Sequence, residues 1–120
     1  MRQSFAKFSS IFHNVLIPRD ITHPHKRVWY LMLEAQFETV LAQGHFPKTP
    51  LLYQAYDFSA VPAAATKLYN GASVIAVPIS IAQVQRKGFK ILYETDGVSD
   101  VRHWYLEPQV SDLLTIDCME

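Results

Sequence analysis

The stretch from Val61 to Glu94 leaves this chain few ways to fold. It reads Val-Pro-Ala-Ala-Ala-Thr-Lys-Leu-Tyr-Asn-Gly, Ala-Ser-Val-Ile-Ala-Val-Pro, Ile-Ser-Ile-Ala-Gln-Val-Gln-Arg-Lys-Gly and Phe-Lys-Ile-Leu-Tyr-Glu. Pro62 suits the first turn of a helix, the alanines propagate it, and Asn70-Gly71 ends it. Ser73 to Val77 is a continuous β-branched run of strand length, too apolar to keep one face in water. Helical character returns from Ile79 to Lys87 and closes on a basic pair before Gly88. Phe89 to Tyr93 is a second apolar strand in which only Lys90 is polar. Strand, short helix, strand is a βαβ unit, and a right-handed crossover would make its two strands parallel neighbours.

The flanking sequence extends this pattern. Phe5, Phe8, Ile11, Phe12, Val15 and Leu16 recur at helical spacing, with Arg2 and Lys7 as the early charges and no acid before Asp20. They predict an N-terminal amphipathic segment over 1–17, and His13 and Asn14 interrupt any secretory h-region. A long helix is expected from about Pro24 to Gln43, closed by Gly44. Its apolar residues form two stripes: Val28, Leu31, Met32, Ala35 and Ala42, and Trp29, Leu33, Phe37, Val40 and Leu41. Such a helix is covered on most sides or serves a subunit interface. Leu51 to Phe58 and Val101 to Leu106 are aromatic-rich and read as strands. Val110 to Ile116 fits either a terminal helix or a strand. Alternation of helices and strands implies an α/β fold, with a parallel or mixed sheet and helices packed on it. Residues 18–120 form its single domain.

Composition narrows the function. Charged residues make up 18% of the 120-residue chain and hydrophobic ones 49%, against a usual charged share of about 25%. Less charge covers the outside, which favours a homo-oligomer or a protein partner. Eleven basic residues balance eleven acidic ones, and this argues against nucleic acid, whose binders carry a basic excess. The single cysteine, Cys118, excludes an internal disulfide and any multi-cysteine metal site. No run approaches the ~18 apolar residues of a membrane span. The expected setting is cytoplasmic, with an organelle or membrane surface as the alternative through the N-terminal segment.

Chemistry-bearing residues are few. His23 and His25 stand one residue apart, and His45 lies at the far end of the expected helix. Zinc wants three or four ligands, and no third has a diagnostic spacing, so no metal is expected. The nucleophile-elbow pattern and glycine-rich phosphate loops are absent, and no cofactor is expected. Glu94, Asp96 and Asp100 form an acidic group near His103, and carboxylates so grouped can do acid–base work. In open α/β sheets, however, ligands collect at the carboxyl ends of strands, where helix N-termini present free amides. Here those ends carry Ser59, and Pro78 with Ser80. Each serine could equally be an ordinary helix cap.

Gln43-Gly44-His45-Phe46, Tyr56-Asp57-Phe58-Ser59-Ala60, Leu68 to Pro78 and Arg86 to Leu92 together carry a family pattern. Over about Ala42 to Tyr93 the chain resembles one lobe of the periplasmic substrate-binding proteins of taurine-, nitrate- and thiamine-precursor-type transporters. The resemblance implies a binding architecture with Ser59 and Ser80 at matching positions; the helix N-termini expected there would suit a small anionic or amide-bearing ligand. Two departures stand out: the family has two lobes, and Ala72-Ser73 replaces its usual acidic residue after the glycine. The resulting expectation is a non-enzymatic binding or adaptor module. The alternatives are a small-molecule-sensing lobe related to those proteins, and a small enzyme using Asp96, Asp100 and His103.

Overall fold

The computed structural model describes residues 8–12, 15–18, 26–47, 53–70, 72–95, 102–109 and 113–119. They form an α/β fold around one mixed sheet. The strands are β1 (Phe8–Phe12), β2 (Val15–Pro18), β3 (Arg27–Leu33), β4 (Tyr53–Tyr56), β5 (Val74–Ser80), β6 (Phe89–Thr95) and β7 (Arg102–Pro108). The helices are α1 (Glu34–Gln43), α2 (Val61–Tyr69) and α3 (Ile81–Arg86). Across the sheet the order is β1-β2-β5-β3-β4-β7-β6. Only β2 and β5 pair in parallel; every other neighbouring pair is antiparallel.

Several expected elements stand where the residues placed them. Pro62 opens α2 and Asn70 ends it in a left-handed conformation, φ 45°. The apolar run 74–79 is buried at every position, because β5 lies inside the sheet with helices on both faces. Val74 and Ala76 pack toward α2, with Val15, Trp29, Leu31, Tyr56, Val61, Ala64 and Ala65. Ile75, Val77 and Ile79 pack toward α1 and α3, with Val28, Met32, Phe37, Val40, Val84, Leu106 and Leu114. A period of two thus divides one continuous apolar strand between two cores.

Three expectations are overturned. The long helix from Pro24 is β3 up to Leu33, and α1 begins only at Glu34. Val28 to Leu33 is apolar at every position, so helical and strand periods fit it equally well. The polar residues that could mark a helix start at Glu34, where the Gln36 side chain accepts the Leu33 N–H at 3.0 Å. The residues of the supposed stripes over 28–33 divide instead by strand alternation, Val28 and Met32 on one face and Trp29 and Leu31 on the other, so that Leu31 leaves the stripe expected for it. They therefore supply no helix surface for a second subunit.

The N-terminal helix is also strand where the chain is described, since Phe8–Phe12 and Val15–Pro18 form an antiparallel pair. Residues 1–7 lie outside the described residues. β2 joins the main sheet through Val15 and Leu16, opposite Val74 and Ile75. The apolar residues of 8–17 satisfy either period, and the sheet margin beside β5 selects the extended one.

Finally, β5 and β6 point the same way but are not neighbours, because β3, β4 and β7 lie between them. Their crossover passes α3 over one face, whereas the β4–β5 crossover passes α2 over the other and skips only β3. Antiparallel β3 fits beside β5 along seven residue pairs, Arg27↔Ser80 to Leu33↔Val74, and so occupies the place expected for β6.

Candidate functional site

β4, β5 and β6 share a direction, so their carboxyl ends fall on one margin of the sheet. The strand starts at Arg27 and Arg102 fall there as well. This margin holds Ser59, Ser80 and His103, but in different environments. Ser59 lies exposed in the 3-10 turn Phe58–Ala60. The residue that caps α2 is Ala60, and no side chain caps that helix. Ser80 does cap α3: its hydroxyl accepts the Gln83 N–H at 3.3 Å.

Pro78 is buried inside β5, in register with Trp29. Pro78 stands past the β2 ladder, which reaches Val74 and Ile75, and before the Ile79↔Met119 bridge, a break in the flanking ladder where a proline is tolerated. α2 starts on one face of the sheet and α3 on the other, so Ser59 and Ser80 flank the margin rather than share a cleft. His103 is buried, 5% exposed, between the rings of Tyr56 (6.4 Å) and Tyr105 (4.9 Å). Asp96, Asp100, His23 and His25 lie outside the described residues. The His45 Nδ1 lies 2.8 Å from the Phe46 carbonyl. Among the described residues, no three His, Cys, Asp or Glu side chains are grouped to hold a metal.

What the fold does bring together is Asp57, Tyr93 and Trp104, from the end of β4, from β6 and from β7. The Trp104 indole N–H donates to Asp57 Oδ1 at 2.8 Å. The Tyr93 hydroxyl donates a longer bond, 3.5 Å, to Oδ2 of the same carboxylate. The two rings lie 4.3 Å apart between centroids, and Tyr93 stands opposite Trp104 in the β6–β7 ladder. One carboxylate therefore orients two aromatic side chains, and Tyr93 remains 42% exposed. An oriented ring with a polar tip and a wet flank is how tyrosine presents itself at recognition surfaces. Asp57 and Tyr93 were not singled out by sequence as site residues. The available signal was an aspartate directly after an aromatic strand, together with a tryptophan whose N–H needs an acceptor.

Tyr93 stands on the last strand of the sheet. Among the described residues β6 pairs with β7 alone, in seven unbroken register pairs from Phe89↔Pro108 to Thr95↔Arg102. Among the described residues nothing pairs with its other flank, a row of backbone donors and acceptors. The opposite margin differs, because the β1–β2 ladder shifts register between Ser10 and Phe12. An irregularity of that kind re-aims an edge and hinders further pairing. Along β6 the ladder is unbroken, and among the described side chains Lys90 is its exposed charge.

The Tyr30 and Asp117 titration shifts lie away from this margin. Burial pushes the Tyr30 phenol up to about 12, helped by nearby Tyr69 and Tyr53. Hydrogen bonds from Lys87, and then Thr115, hold the Asp117 carboxyl below the ordinary aspartate value. Neither group reaches the Asp57–Tyr93–Trp104 cluster through a described contact, and both belong to the packing of the core and C-terminal segment. No helix among the described residues is long and apolar enough to cross a membrane. No protein-family model matches this chain, and no curated protein matches it significantly in sequence.

Proposed function

We propose that this chain is a non-enzymatic binding module that takes up an extended partner strand along the outer flank of β6. The observation that supports it is the regular, seven-residue edge strand with an oriented, half-wet tyrosine on it. Strand addition draws its affinity from main-chain hydrogen bonds, and its selectivity from side chains at alternate positions. β6 offers both: unladdered backbone along its outer flank, Ile91 and Tyr93 toward one face of the sheet, and Lys90 and Leu92 toward the other. Asp57 and Trp104 restrict the Tyr93 ring before any partner arrives, which lowers the ordering cost of binding.

The test is selection of extended peptides from a random display library on the folded protein. Hydrogen exchange on the β6 amides is then followed with and without each selected peptide. Docking on β6 should protect amides between Phe89 and Thr95, and Tyr93→Ala should weaken the selected peptides about tenfold, or ~1.4 kcal/mol. Selected peptides that leave β6 exchange and Tyr93→Ala affinity unchanged would overturn the reading.

A further inference from the structure

We infer that the natural occupant of the β6 flank is β6 of a second copy of this chain, paired antiparallel about a two-fold axis through Leu92. The inference rests on β6 being a docking strand and names the strand that docks. Two sheets joined edge to edge about a two-fold normal to them keep each face continuous only if the axis passes through a residue. Opposite residues then share a face.

Three such registers are open to the inner part of β6. With the axis at Ile91, Lys90 meets Leu92 of the second copy, and Glu94 falls opposite Gly88, outside the strand. With the axis at Tyr93, Glu94 meets Leu92 and Lys90 falls beyond the strand end. Only the Leu92 register uses all seven residues of the strand. It sets Lys90 opposite Glu94 twice, Ile91 opposite Tyr93 twice, and Leu92 opposite itself. The sequence Phe-Lys-Ile-Leu-Tyr-Glu-Thr is thus self-complementary when reversed: lysine and glutamate stand equally far from the central leucine.

The pair types are those that stabilise antiparallel sheets, opposite charges and an aromatic against a β-branched residue. Lys90 and Tyr93 are both exposed in the single chain, so each has surface to give up on pairing. The resulting contact makes one continuous sheet through the dimer and removes the β6 edge from solvent. That disposes of the feature most exposed to unwanted pairing. The low charge of the chain, 18%, suits a surface that is shared rather than fully wetted.

The experiment is sedimentation of the full-length chain, wild type against Lys90→Glu, Glu94→Lys and the double exchange. Circular dichroism checks that each variant folds. Pairing at Leu92 predicts a wild-type dimer, at least tenfold weaker association in each single variant, and recovery in the double exchange. Leu92→Cys should cross-link two chains under mild oxidation, while the wild type should not. Directly opposite Cα atoms lie about 4.5–5.5 Å apart, within disulfide reach.

A wild-type monomer at every concentration reached would overturn the self-pairing, as would a dimer indifferent to both charge reversals. The two ideas fail separately. A monomer whose β6 amides are protected by selected peptides keeps the docking strand and loses only the second copy. A dimer whose β6 amides exchange as freely as in dilute solution loses the second copy at β6, and the docking strand is lost as well only if selected peptides also leave those amides unprotected.

Discussion

Ser80 and Ser59 occupy comparable places in the sequence, each after a strand and before a helix, yet the fold gives them different work. The Ser80 hydroxyl takes one of the orphan N–H groups of α3. Ser59 lies within a 3-10 turn, two residues before α2, and caps neither helix. Ser80→Ala should therefore cost about 1 kcal/mol, the usual price of a lost cap. Ser59→Ala should stay within about 0.5 kcal/mol. Urea unfolding of the two variants checks both, and equal losses would refute the assignment.

Cys118 behaves as a core residue, with no exposed surface. Burial raises its thiol, and the neighbouring Asp117 carboxylate adds to the rise. Alkylation near neutral pH should be slow in the native chain and should reach the rate of a free thiol only on unfolding. Rapid native labelling would mean that the C-terminal segment does not stay docked.

At the scale of elements, the end of α1 is set by Gly44. Its φ is 86° and its N–H donates to the Val40 carbonyl at 2.8 Å. The Gly44 carbonyl in turn accepts the Ile116 N–H at 3.0 Å, and the Phe46 N–H donates to the Leu114 carbonyl at 2.7 Å. The turn thus ties the C-terminal segment to α1. A Cβ at Gly44 would meet nothing within 4 Å, so substitution costs backbone conformation rather than space. Gly44→Ala should destabilise by about 1–2 kcal/mol, and Gly44→Asn by less, since asparagine tolerates this conformation. Thermal unfolding of the pair measures it, and an alanine variant as stable as wild type would refute it.

The same segment carries Asp117, joined to Lys87 at 2.6 Å and to the Thr115 hydroxyl. Its lowered carboxyl stabilises the fold above the ordinary aspartate range. That contribution disappears as pH falls through the lowered native value, below about 4. Asp117→Asn should flatten this part of the acid limb. The effect should be at most about 1 kcal/mol, because both side chains are substantially exposed.

For the whole molecule, the alkaline limit is the more revealing one. Tyr30 belongs to central β3, with its ring 5.0 Å from Phe46 and 6.4 Å from Tyr53. Its phenol is pushed up to about 12 by burial, against about 10 in an unfolded chain. A raised native value means that stability is complete below the unfolded value and is lost as pH rises toward the native one. The chain should therefore hold its stability to about pH 10 and lose it between there and about 12. Tyr30→Phe should reduce that loss. Unfolding midpoints across this range, with ultraviolet titration of the phenolates, give the check; an unchanged slope in the variant would place the sensitivity elsewhere. The sheet is what couples these events, since β3 contributes to both of its cores.

The amino-acid sequence by itself determined the elements whose residues admit one reading. α2 has proline at its start and Asn70 at its end, and β5 is β-branched over a strand's length. α3 closes on a basic residue before Gly88, whose φ is 89°. Strand character at β4, β6 and β7 was legible for the same reason, through aromatic and β-branched enrichment. Val28 to Leu33 was not legible, because a segment apolar at every position satisfies any period, and only its burial on two faces selects a strand. Nor could local pattern show that β3, β4 and β7 would separate β5 from β6. Sheet order follows from which long-range ladders close together, and Arg27 to Leu33 had first to be extended before it could lie beside β5.

The candidate site divides in the same way. Ser80 was legible as a cap, and Trp104 as an aromatic at a core or interface. Asp57 meets Trp104 and Tyr93 across 47 and 36 residues of chain, a distance that only the tertiary structure spans. The symmetry of Lys90 and Glu94 about Leu92 was present in the sequence throughout. It acquires meaning only once the fold leaves β6 at the margin, where a strand's free hydrogen-bonding groups can meet those of another chain.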